Sequence, residues 1–253
     1  MSNLYTVKES YTLPSKGKIY EKPLNPNIEL RSMTTREEML RQSSSDRPYK
    51  LLADIIESCI VSEKPEIKVY DMCIGDYEFL LHKLRVVTYG PDYKMLVQCV
   101  KCNNVESKKF DLDELEVLEF DENEYAELKT LDLPRTGKRV TLNIQTPRML
   151  DEIELDIKQF KKRNKNITFD PRTLITLKHL IDYVDGNKLS QDQLETFVME
   201  LPAKDSTAIL NRAEKLTAKV GLNTEFLFTC DQCGFDNTTF FRFGPEFFRP
   251  SED

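Results

Sequence analysis

The chain has 253 residues, with 36 Lys and Arg against 43 Asp and Glu, for a net charge of −7. A hydrophobic share of 40% can build a real core in one large or two small domains, whereas the acidic balance argues against a general duplex-binding protein, which needs a dense basic face to neutralise phosphates. With 8 glycines in the whole chain, neither GxGxxG nor GxxxxGK[ST] occurs, so no glycine-rich nucleotide cradle can be placed.

The first residues are polar and charged and carry no apolar h-region, so no secretory signal is expected there. No stretch approaches the ~18 uninterrupted apolar residues of a membrane span. Residues 1–48 read as an extended N-terminal arm punctuated by prolines, with a turn bracketed by Pro14 and Gly17 and a short strand at 28–30. Thr35, with Glu38 three residues on, has the arrangement of a capping box and marks a helix start. In the helical segment 49–92, Leu51, Leu52, Ile55, Ile56, Cys59 and Ile60 draw one apolar stripe. Cys59 lies on that stripe and reads as a small buried hydrophobe. Asp76 is placed to cap a second helix, which carries Phe79, Leu80, Leu84 and Val87 and ends at Gly90-Pro91.

A strand at 94–98 then feeds Cys99-Val-Lys-Cys102, and a returning strand follows over 105–112. Nine carboxylates fall between Asp111 and Glu127. They read as a solvated face between the apolar anchors Leu115, Leu118 and Phe120, beside the rival idea of a metal site or nucleic-acid mimic. The segment does not match the calcium loop DxDxDG. Residues 113–223 are expected to be mainly helical. After a strand within 138–147, helices are predicted from Pro147 or Met149 to Arg163, from Pro171 to Val184, from Gln191 to Glu200 with Ser190 as cap, and from Lys204 or Ser206 to Val220. The basic run over 158–165 suits a helix C-terminus, where cations meet the dipole favourably. A docking patch for an acidic partner is the other reading.

Cys230-Asp-Gln-Cys233 repeats the layout of the first cysteine pair, with a strand before it and another over 237–243. The 127 residues between Cys102 and Cys230 far exceed the ~15–20 of a compact ribbon. The two halves therefore read as one zinc ribbon, 93–112 plus 224–245, split by a helical insertion. Gly234 and the Asn103-Asn104 pair supply the backbone freedom a tight knuckle needs. Closing so long a loop costs entropy that grows only slowly with length. Without an export signal, paired cysteines read more readily as metal ligands than as disulfides. Cys99, Cys102, Cys230 and Cys233 are accordingly expected to hold a structural Zn²⁺. A metal-free relic of the ribbon or a disulfide pairing stands beside that reading. Redox catalysis requires a CxxC opening a helix, and neither pair does. Four cysteines leave no open position for chemistry at the ion.

His82 and His179 sit in helices outside any HExxH, and no GxSxG elbow occurs, so the chain is read as not an enzyme. The fold class is α+β: a split zinc-ribbon-like β element, a mainly helical insertion and an extended N-terminal arm. Residues 246–253 form a tail in which Phe247 and Phe248 serve either as a partner anchor or in self-packing.

Several segments taken in order narrow the reading. They are Leu13-Pro14-Ser15-Lys16-Gly17 with Tyr20, the stretch 29–40 (ELRSMTTREEML), the stretch 74–93 (IGDYEFLLHKLRVVTYGPDY), the two cysteine pairs and the aromatic end FRFGPEFFRP. In this order the chain resembles the baseplate hub and hub-assembly proteins of T4-like contractile-tailed bacteriophages, more fully at its two ends than in the helical middle. The resemblance implies a non-enzymatic component of the tail baseplate, either built into the hub of the virion or assisting hub assembly in the host cytoplasm. Its implied partners are other phage baseplate and hub proteins, or a second copy of itself. The rival is a nucleic-acid-binding zinc-ribbon protein, which would need a basic, aromatic face on the ribbon from Lys101, Lys108, Lys109 and Arg242.

Overall fold

The computed structural model describes residues 6–63, 65–165, 168–241, 243 and 245–248. Arg242 and Gly244 lie outside the described residues. The chain opens with an antiparallel pair, β1 (Lys8–Thr12) and β2 (Asn27–Arg31), followed by helices α1 (Thr35–Arg41), α2 (Pro48–Cys59) and α3 (Ile74–Tyr89). The hairpin β3 (Asp92–Gln98) and β4 (Val105–Asp111) carries the first cysteine pair at its tip. After α4 (Glu122–Leu128), strands β5 (Thr130–Asp132) and β6 (Arg139–Leu142) lead into α5 (Pro147–Arg163) and α6 (Arg172–Leu180). Strand β7 (Ile181–Val184) joins β6 to complete a three-stranded antiparallel sheet. Helices α7 (Gln191–Glu200) and α8 (Ala203–Thr217) follow. The hairpin β8 (Glu225–Thr229) and β9 (Asp236–Phe240) carries the second cysteine pair, and a 3₁₀ turn over Pro245–Phe248 comes after it. Eight helices and four small separate sheets among the described residues make a mixed chain of the α+β kind.

Two apolar clusters organise these elements. One gathers α2, α3, the N-terminal strands and both cysteine hairpins around Ile56, Leu80, Leu84, Phe110 and Phe226. The other gathers α5 to α8 and the three-stranded sheet around Val140, Leu142, Leu177 and Ile209. Helix α3 is buried nearly all round, which suits its high apolar content and makes it the spine of the first cluster.

Polar pins fasten the N-terminal segment to that spine. Asp76, fully buried, accepts a hydrogen bond from the Ser15 N–H at 3.0 Å, one from the Ser15 hydroxyl, and one from the Tyr20 hydroxyl at 2.7 Å. Gly17 at φ +70° turns the loop so tightly that a Cβ there would stand 2.2 Å from the Leu24 carbonyl oxygen. The Leu-Pro-Ser-x-Gly-x-x-Tyr stretch is thus a loop shaped to deliver one hydroxyl and one amide to a buried carboxylate. Farther along, the Glu37 carboxylate accepts from Arg31 at 2.9 Å and from the Thr34 N–H at 2.8 Å. Burial raises its pKa, but these donors outweigh it and bring it down to about 2.

Several expectations change here. The N-terminal arm is built into the fold, with Leu13, Ile28 and Leu30 buried in this chain's own core. Helix α1 is capped by Thr34 with Glu37, one residue earlier than Thr35 with Glu38. Cys73, not Asp76, caps α3: its Sγ accepts the Asp76 N–H at 3.4 Å, and Asp76 is left free to hold Ser15 and Tyr20. The helix expected over 171–184 stops at Leu180, since Ile181 to Val184 is a β-prone run that finds an open edge on β6. Helix α8 ends at Thr217, before Val220. Strand β6 ends at Leu142, well short of residue 147. Of the two readings of Phe247 and Phe248, self-packing holds, the former lying against Tyr93, Phe241 and Phe243. Arg85, fully buried, donates from Nε to the Phe247 carbonyl at 3.0 Å and holds that turn in place.

Candidate metal centre

Each cysteine pair sits on a hairpin tip of the same construction. In the first, the Cys99 N–H donates to the Asn104 carbonyl at 2.9 Å and the Asn103 N–H to the Cys99 carbonyl at 2.9 Å. In the second, the Cys230 N–H donates to the Phe235 carbonyl at 3.0 Å and the Gly234 N–H to the Cys230 carbonyl at 2.9 Å. Asn103 at φ +60° and Gly234 at φ +66° occupy the equivalent left-handed position, which asparagine and glycine tolerate best.

The two tips face each other. Cys99 Sγ lies 3.7 Å from Cys233 Sγ, Cys102 Sγ lies 3.7 Å from Cys230 Sγ, and all four sulfurs fall within 4.8 Å of one another. Asn237 on β9 bridges the tips: its Oδ1 accepts the Val100 N–H at 3.0 Å, and its Nδ2 donates to Cys99 Sγ at 3.6 Å. Glu106 on β4 does the same from the other side, accepting the Asp231 N–H at 3.2 Å. Neither residue is prominent in the sequence reading. Asn237 carries no local signal, since its neighbours by alternation are the exposed Phe235 and the polar Thr239.

Burial favours the neutral Cys99 thiol, but the N–H groups of Cys102 and Lys101 and the Asn237 amide point at its sulfur and draw its pKa down to about 6. The Asn104 N–H acts on Cys102 in the same sense, yet burial and the three neighbouring thiols push it up to about 12. Four thiols this close cannot all ionise unless a positive charge sits among them.

A tetrahedral ion with sulfurs at ~2.3 Å would hold them about 3.8 Å apart. Two of the separations, both 3.7 Å, match that edge, and an all-sulfur donor set suits a soft or borderline divalent metal. The four cysteines expected to act together are thus brought together, as a cluster able to hold a metal ion.

A family model described as T4 bacteriophage base plate protein matches residues 5–249. The chain belongs to that family. No curated protein and no solved structure matches it.

Membership implies other phage base plate proteins as partners and a place in the virion tail. No helix among the described residues is long and apolar enough to cross a membrane. The histidines of this base plate protein lie away from the sulfurs. His82 is fully buried, where desolvation lowers its pKa to about 4 and its Nε2 meets the Leu112 carbonyl at 2.9 Å. His179 contacts Asp156 at 2.9 Å on the outer side of α6. The cations proposed for a nucleic-acid face are engaged internally. Lys108 bridges Glu106 and Asp231, Lys109 pairs with Asp92 at 2.8 Å, and Lys101 lies over the Phe235 ring. Arg242 is outside the described residues.

Proposed function

We propose that this base plate protein is a component or assembly factor of the tail hub that works through protein contacts, and that Cys99, Cys102, Cys230 and Cys233 hold one structural Zn²⁺. The observation that carries the proposal is the convergence of two cysteine tips, far apart in the chain, at the sulfur spacing of a tetrahedral ion. On this reading the hairpins at 93–112 and 224–245 form one split ribbon, and the helical segment 113–223 is an insertion held between them. Four cysteine ligands close the ion's coordination shell, so it stabilises the fold and takes no substrate. Asn237 and Glu106 are the outer hydrogen-bonding groups that keep the ligands in place.

Two measurements test the two halves of the proposal. Metal analysis of the purified chain is expected to give one zinc per chain. A Cys230→Ser, Cys233→Ser double variant that kept the parent's metal content and melting temperature would remove the zinc reading. Mass spectrometry of purified phage places the chain: its presence in virions supports a hub component. Its absence, together with failed hubs in a knockout, supports a factor acting in the host cytoplasm.

A further inference from the structure

Between the two apolar clusters lies an open cleft of about 630 Å³, formed by the first turns of α3, the face of α6 and the C-terminal end of α8. Its walls are largely apolar, with Ile74, Leu180, Leu210 and Leu222 among them. Glu78 projects from α3 into this lining. Glu214 on α8 is the other charged residue of the lining, and among the described residues no Lys, Arg or His lines the cleft. The Glu78 carboxylate is half-buried, and among the described residues no donor reaches it. Burial alone accounts for its pKa being raised to about 7. The nearby ionisable groups Tyr49 and Tyr77 are neutral phenols and give it no counter-charge.

A half-buried carboxylate without a partner is an unfavourable arrangement that a cation arriving from outside would relieve. The surrounding walls would at the same time receive apolar side chains, as the centres of protein interfaces do.

We propose that this cleft is a docking site for a segment of a partner protein that presents a lysine or arginine side chain between apolar residues, with Glu78 as its ion-pair partner. This deepens the reading of the chain as a component acting through protein contacts and rests on it. The site is separate from the cysteine cluster.

The test uses the full-length chain with labelled isoleucine and leucine methyls and the capped tripeptide Leu-Lys-Leu as probe, with Leu-Glu-Leu and Mg²⁺ as comparisons. The basic peptide is expected to shift the methyls of Ile74, Leu180, Leu210 and Leu222 with saturation, and Leu-Glu-Leu is not. Glu78→Gln is expected to weaken binding about ten-fold, the loss of one semi-buried ion pair, while leaving remote methyls such as Leu52 unmoved. Equal response to both peptides, unchanged affinity in Glu78→Gln, shifts elsewhere on the molecule, no saturable shift, or the same shifts with Mg²⁺ alone would each overturn the proposal. In phage carrying Glu78→Lys, suppressors that exchange a basic for an acidic residue in another tail gene are expected. Suppressors confined to this chain would count against a partner. A negative peptide result leaves the baseplate reading intact, since virion mass spectrometry tests that independently.

Discussion

Replacing Asp76 by alanine removes the acceptor around which the N-terminal loop is built. Three donors lose their partner in a dry site: the Ser15 N–H, the Ser15 hydroxyl and the Tyr20 hydroxyl. Each unsatisfied buried donor costs about 1–3 kcal/mol, and the hydroxyls can recover part of this by rotating, so the sum is about 3–4 kcal/mol. Asparagine behaves differently. It keeps one acceptor oxygen for the Ser15 N–H and can donate its own N–H to a hydroxyl. Burial raises the Asp76 pKa above the usual carboxylate range in spite of its donors, so the charge itself is not what makes the arrangement favourable. Asp76→Asn should therefore cost about 1 kcal/mol. In a chain of this size each kcal/mol moves the melting temperature by about 2–4 °C, giving a drop of roughly 10 °C for alanine and about 3 °C for asparagine. Urea melts give the energies. Tryptic nicking at Lys16 and Lys18 reports whether the loop comes off the spine before the rest unfolds. If asparagine proved as damaging as alanine, or alanine cost under about 1 kcal/mol, the account of a carboxylate acting as an acceptor hub would be refuted.

If the four thiols hold the proposed zinc, opening the cluster by Cys102→Ser with Cys230→Ser should release a cross-link around roughly 130 residues of chain, worth about 5 kcal/mol on the loop-entropy scale, and lower the melting temperature by about 10–20 °C in parallel with metal loss. Gly75→Ala places a Cβ 2.0 Å from the Val220 carbonyl oxygen, a backbone atom with nowhere to go. A loss of about 3 kcal/mol in denaturant melts is expected, with cleft methyl signals displaced. For Glu78 the folded-state pKa of about 7 exceeds the ordinary carboxyl value of 4.5, so the folded chain binds more protons than the unfolded chain across that interval. Stability contributed by this group is present below about pH 4.5 and is lost as pH rises through 7. Water reaching the cleft holds the effect to about 1–2 kcal/mol. Glu78→Gln should flatten that segment of the stability–pH curve and melt higher than the parent at pH 8.

What could be read from the sequence divides along a physical line. One apolar stripe marked α2 and α5, the Ser190 cap marked α7, and a dense apolar run marked α3. The cysteine spacing brought together four side chains that are 127 residues apart in sequence, because two identical tips need no third element to explain them. What stayed hidden depends on partners supplied from elsewhere. Strand β7 exists because β6 offers an edge to Ile181–Val184, and β1 exists because β2 does. Asp76 looked like a helix cap because capping is the local use of an aspartate, and only the fold brings Ser15 and Tyr20 to it. Phe247 and Phe248 looked available to a partner because nothing local shows Arg85 reaching across from α3 to seize the turn that carries them.

The order of the two cysteine tips along the chain also sets a clock. During synthesis the first tip emerges long before the second, and at roughly 5–20 residues per second the delay is about 6–25 s. Throughout that interval Cys99 and Cys102 lack the other two thiols of the cluster, although β3 and β4 already pack on α3 through Val97 and Phe110. The cluster closes only when Cys230 and Cys233 have been made. A ribosome that stops early in α8, or a chain clipped there, therefore yields a body with an open seam at its thiols, exposed to oxidants and proteases. The four-thiol cluster is therefore complete only in chains that extend past Cys233.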